Sequence, residues 1–179
     1  MSVSTEMLRP LIVPSEYFAS GQFPAPHVPL TAPDLALTCV LLSDPGAMLY
    51  VTPDAVDALG QSGIEWRPAA LAAMRRSDEG LLWTQDRRDE DGRLLWLEFM
   101  NVDGLGSSRL LLRDDLERQF PEGYFVALPD RSCGLAISKS VDSDVLEELR
   151  AMVADMYRHA TTPMCADLRE PEALAPRAA

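Results

Sequence analysis

Histidine, cysteine and long apolar runs are all scarce in this sequence, and each scarcity removes a class of function. Only two histidines occur, His27 and His159, so a catalytic base or an imidazole metal centre has almost nothing to draw on. The three cysteines, Cys39, Cys133 and Cys165, are odd in number, widely spaced and free of any CxxC pair. That fits neither a disulfide framework nor a zinc knuckle, and reduced thiols in a cytoplasmic compartment are the expectation. No apolar run reaches bilayer length, and Pro10 and Pro14 bracket the one candidate for a leader, "PLIVP". A soluble cytoplasmic chain with no membrane partner follows. Basic residues are outnumbered 16 to 28, and the net charge of −12 repels a phosphate backbone. The doublets Arg75–Arg76 and Arg87–Arg88 are each followed by acids, so no basic stripe reverses that, and nucleic acid is not an expected partner.

What is present reads as one ordinary globular domain with loose ends. With 179 residues, 47% of them hydrophobic, the chain is long enough to bury a sizeable core. Residues 1–33 carry six prolines, at 10, 14, 24, 26, 29 and 33. Each lacks a backbone donor and biases its predecessor to extended backbone, so a packed helix or central strand is not expected in this arm. Partial docking through Leu11, Ile12, Tyr17 and Phe18 is. The globular domain is placed at 34–168, and the Pro/Ala-rich stretch 169–179 is expected to be a mobile, disordered tail.

Within the domain, Leu35–Leu42 and Met48–Val51 flank the turn residues Asp44, Pro45 and Gly46, a hairpin signal. Thr52, Pro53 and Asp54 open a short helix closed at Gly60, with Val56 and Leu59 inward. A second helix spans Pro68–Arg76, with Trp66, Leu71 and Met74 to pack. "LLWTQD" and "RLLWLEFMNV" read as a long hairpin around "RRDEDG" with its tip at Asp91–Gly92, and Leu110–Leu112 as a short strand-like run after the turn "DGLGSS". A helical turn or two around Leu116 and Phe120 ends at Pro121 and Gly123. Tyr124–Leu128 and Gly134–Ser138 form a second hairpin around "PDRSC". Val145, Leu149, Met152, Val153, Met156 and Ala160 recur at three and four, which predicts an amphipathic helix over 144–160, capped by Asp144 with Glu147. Hairpins broken by helices without βαβ alternation predict an α+β fold with a mainly antiparallel sheet packed against that long C-terminal helix.

Candidate chemistry is thin. Cys133 beside Arg131 invites a nucleophile reading, with His159 as the base if folding brings it near. Asp155, His159 and Cys165 are too loosely spaced for a metal site, and a helix-surface pair of Asp155 with His159 explains them better. "DGLGSS" lacks the lysine and the following helix of a phosphate cradle, and the acids Asp89, Glu90, Asp91, Asp114 and Asp115 match no cation loop. No cofactor or metal is expected. Trp66, Trp83 and Trp96 are first of all core candidates. Leu94, Trp96, Glu98 and Met100 share one face of their strand, which becomes a docking strip if that strand lies at an edge.

Three segments, "MLYVTPDAVDALG", "YFVALPDRSCGLAIS" and "MYRHATTPMCADL", resemble the YtpQ-like family of bacterial proteins, a domain of unknown function, over about 35–168. Ser132 stands where that family tends to carry an acid after the turn arginine, and Cys165 where a small hydroxyl is expected. The resemblance implies a fold and no activity. The functional expectation is therefore a non-enzymatic protein that binds another protein, of adaptor, chaperone-like or immunity type. Its partner would be basic, and Trp96, Glu98, Asp89, Glu90, Asp91 and Arg131 are the contact candidates. A homodimer through an exposed hairpin edge is a further possibility. The alternative is a small hydrolytic enzyme with its site near Arg131, Cys133 and His159.

Overall fold

The computed structural model describes residues 4–21, 23–43, 47–77 and 83–177. It is α+β, with two antiparallel sheets and a long C-terminal helix. The chain divides into two compact units, residues 1–80 with 174–179, and residues 81–173. This differs from an arm, a single domain over 34–168 and a loose tail, and the reason lies in the proline-rich segment.

In the first unit, Leu8–Pro14 is a strand, β1, buried at every residue. It pairs antiparallel with Leu35–Ser43, β3, from Leu8↔Leu41 to Pro14↔Leu35. Pro10 and Pro14 are four residues apart, so their missing N–H groups fall on the same side of the strand, and β1 lies at the edge of its sheet. A strand is thus compatible with both prolines. The short helix Glu16–Ala19, α1, follows. His27–Pro29, β2, and Ala47–Tyr50, β4, both pair with the other side of β3. The expected turn at Asp44–Gly46 lies outside the described residues. Leu11 and Ile12 dock as expected, and Phe18 stacks on His27 with ring centres 3.8 Å apart, whereas Tyr17 is exposed.

Pro53–Gln61, α2, is capped by Thr52, whose hydroxyl accepts from the Ala55 amide at 3.4 Å. The helix closes at Gly63, with φ of 73°, three residues beyond the expected Gly60. Trp66–Ser77, α3, packs on β1 through a face that buries Trp66, Ala70, Ala73 and Met74, while Leu71 is only half-buried. The end of the chain is not loose in this unit. The Thr31 amide donates to Ala175 O at 2.9 Å, Arg177 N to Pro29 O at 2.9 Å, and Leu174 is buried.

The second unit holds a sheet in the order β5-β6-β8-β7, made by Gln85–Arg88, Leu94–Met100, Cys133–Ser138 and Tyr124–Asp130. Strand β5 runs through Arg87 and Arg88, residues read as turn from the sequence. The turn is shorter because the Asp89 carboxylate gathers it, accepting from the amides of Asp91 and Arg93 and from Arg93 Nε. Leu81 and Leu82 lie outside the described residues. Strand β6 is interior, between β5 and β8, so the docking strip expected of an edge does not arise there; β5, exposed at all four residues, is an edge. At the opposite edge, residues 162–169 cover β7: Val126 and Arg169 exchange two bonds of 2.8 Å, and Cys165 N donates to Leu128 O at 2.9 Å.

The α5 helix, Ser143–His159, lies over one sheet face. Its Leu149 and Val153 meet Ala127, Cys133, Leu135 and Ile137, with Trp96 and Met156 packed at the margin. Its N-cap is Asp142, and no side-chain capping bond forms, so the expected box of Asp144 with Glu147 is absent. On the other face the run after "DGLGSS" is a 3-10 turn, Ser107–Leu111, and not a strand. It precedes Arg113–Gln119, α4, which buries Leu116.

Candidate functional site

Two sequence motifs that look unrelated, "DGLGSS" and "PDRSC", are interlocked. Gly106 and Gly134 let the 3-10 turn press backbone to backbone on β8: a Cβ at Gly134 would lie 2.8 Å from Gly106 O, and one at Gly106 would run into the carbonyl oxygens of Ser132 and Phe99. The buried Ser107 hydroxyl lies 2.7 Å from Asp130 O and 2.8 Å from Cys133 O, and its amide donates to Arg131 O at 3.2 Å. Behind it, the buried Arg109 grips Asp103 through two guanidinium nitrogens, at 3.1 and 2.6 Å. The segment read from the sequence as a turn is thus a packed prop.

The β7–β8 turn is held as firmly from its other side. Asp130 accepts from the Ser132 amide (2.8 Å), the Ser132 hydroxyl (2.6 Å) and the Thr162 amide (2.8 Å), while Arg131 N donates to Thr162 O at 3.0 Å. Burial pulls the Asp130 carboxyl up, but these bonds and the nearby Arg131 charge outweigh it and leave the group below its ordinary value. Arg131 does not anchor the turn by its side chain. Its Nε is buried without a hydrogen-bond partner, and among the described residues its guanidinium joins no ion pair. The turn therefore presents a cation that is coupled to Asp130 through space but makes no side-chain hydrogen bond among the described residues.

Around it lies a pocket of about 460 Å³ lined by Met100, Asn101, Val102, Gly104, Asp130, Arg131, Ser132, Thr161 and Thr162. Met100 is 51% exposed and Val102 fully so, at the end of β6, and Asn101 Oδ1 is buried without a partner. Neither Asn101 nor the two threonines had a sequence signal, because they reach the pocket from separate segments with no common spacing.

The remaining candidates separate. Cys133 is 3% exposed, and burial first, then the charges of Glu98 and Asp130, push its thiol up to about 12. That is the reverse of what a nucleophile needs. His159 sits at the exposed end of α5 with Nδ1 2.9 Å from Asp155 O, bonded to its own helix and making no hydrogen bond to Cys133. Among the described residues, no group of three metal-ligating side chains stands close enough to hold an ion. Asp89 is engaged within its turn, whereas Glu90 and Asp91 point to solvent. Trp96 and Glu98 are half-buried on the face that α5 covers in part, and burial raises the Glu98 carboxyl above its ordinary value. Of the six contact candidates, only Arg131 lines this pocket.

Compared with protein-family models, curated proteins and solved structures, the chain matches none. No helix among the described residues is long and apolar enough to cross a membrane.

Proposed function

We propose that this chain acts by binding another protein, and that the contact centres on the pocket at the end of β6. The observation that carries this reading is the exposure of Met100 and Val102 beside an arginine whose side chain makes no hydrogen bond among the described residues. Apolar side chains around a half-buried guanidinium are the composition of an interface anchor, where arginine and methionine are enriched and lysine and glutamate depleted. Rigidity supports it, since a turn fixed by Ser107 and Asp130 loses little freedom on association. An immunity-type role, in which an acidic chain covers a basic protein, is the version most in keeping with a net charge of −12. The exposed β5 edge carries Asp86, Arg87 and Arg88, charges that blunt strand-to-strand self-association.

The test is affinity capture from the native cells with the wild-type chain and a Met100→Ser, Val102→Ser double variant. A stoichiometric protein retained by the wild type and lost by the variant, with unchanged far-UV CD, is the expected result. Equal capture by both would overturn the assignment of the surface, and a wild-type chain without any stoichiometric partner would overturn the binding role.

A further inference from the structure

The chemistry of the same pocket narrows the partner, on the premise of the binding reading above. Its lining holds one cation, Arg131, whose guanidinium is unpaired among the described residues. Asp130, an acid in the same lining, already takes three hydrogen bonds from the turn and from Thr162. Thr161 and Thr162 line the same space. A guanidinium without a hydrogen-bond partner is completed by a planar monoanion, because its fork matches a carboxylate in two parallel bonds. A phosphate dianion fits less well, since Asp130 lines the pocket too and no lysine or helix N-terminus does.

Apolar and acidic requirements meet in one pocket here. Met100 and Val102 line the same pocket as Arg131, so the ligand must carry an apolar side chain close to its carboxylate. An aspartate or glutamate side chain lacks that. The last residue of a polypeptide has it, with carboxylate and side chain on one Cα. We propose that this pocket takes the C-terminal carboxylate of a partner protein whose final side chain is aliphatic. Terminal-carboxylate capture is an established mode of peptide recognition, and here the donors are side chains on a clamped turn.

The experiment uses the full chain, labelled with ¹⁵N, and a pool of hexapeptides ending in Val or Leu, once with free carboxyl termini and once amidated. The free-acid pool should shift the amides of Arg131, Ser132 and Thr162, and amidation or Arg131→Gln should each weaken binding by roughly tenfold or more. Arg131→Lys should recover part of the loss, since it restores the charge without the fork. Equal binding of the two pools, no shift at millimolar peptide, or full binding by a folded Arg131→Gln variant would each overturn the inference. Capture of the cellular partner distinguishes the two levels: if it needs Met100 and Val102 but survives Arg131→Gln, the carboxylate assignment fails and the binding surface stands.

Discussion

Replacing Gly106 by alanine tests whether the prop beneath the β7–β8 turn is as tight as its geometry implies. The added methyl would fall within 2.5 Å of the Ser132 carbonyl carbon and against two carbonyl oxygens, all backbone atoms that cannot swing aside. Overpacking of a buried site costs about 1–3 kcal/mol. Relief requires the 3-10 turn to lift, which stretches the Ser107 bonds to Asp130 O or Cys133 O and to Arg131 O, each worth about 1 kcal/mol net. The sum is about 4 kcal/mol, a large share of the roughly 5–15 kcal/mol that holds a domain folded. Urea unfolding followed by far-UV CD reads it: with a slope of about 2 kcal/mol per molar, the midpoint should fall by about 2 M. Gly60→Ala is the control, because nothing lies within 4 Å of its Cβ position and it sits inside α2, where alanine gains about 0.5–1 kcal/mol. A Gly106→Ala variant that loses less than about 1 kcal/mol would refute the argument that backbone contact fixes this turn.

Three further outcomes follow from the same contacts. Asp130 has its folded pKa below the unfolded value of about 3.9, so its contribution is complete above that pH and lost as pH falls through the folded value. Asp130→Asn should therefore cost about 1–2 kcal/mol at neutral pH and converge with wild type in strong acid, and a pH-independent cost would contradict it. Iodoacetamide at about pH 8 should leave Cys133 unmodified in the folded chain and alkylate it in urea, as mass spectrometry of the peptides would show, whereas rapid labelling of native Cys133 would restore the nucleophile reading. Deleting residues 1–14 removes Leu8, Leu11, Ile12 and Val13 from the core of the first unit, at about 1.5–3 kcal/mol each, and should abolish the CD signal of that unit. A truncated chain with undiminished ellipticity would show that β1 is dispensable.

Local periodicity and turn chemistry were legible in the sequence where they coincide with the final contacts. The α5 helix declared itself through apolar residues at three and four, and the β7–β8 hairpin through two apolar runs around a polar turn. Strand β1 did not, because counting prolines treats each as a prohibition, whereas equal parity at Pro10 and Pro14 directs both defects to one side of an edge strand. The triplet Leu110–Leu112 read as a strand because its own residues suit one. What decides its conformation is the close approach allowed by Gly106 and Gly134, which are distant in sequence. Likewise Arg131 stood out at its turn, but Asn101, Thr161 and Thr162 join it only through the β6 end and the segment that covers β7. A pocket assembled from three separate stretches leaves no spacing to read.

The acidity of the chain and the cation in its pocket are compatible under the proposed binding mode. A net charge of −12 acts at long range: it raises the encounter rate with a basic partner and is screened over about 8 Å at physiological salt. Arg131 acts at contact, where its guanidinium is half-buried and its field is screened far less. A basic protein still ends in a carboxylate, so one partner can satisfy both fields, its surface attracted by the acids and its terminus held by the arginine. The two contributions separate by salt. Raising ionic strength should slow association of the whole partner, while the ratio of free-acid to amidated peptide affinity, set within the pocket, should change little.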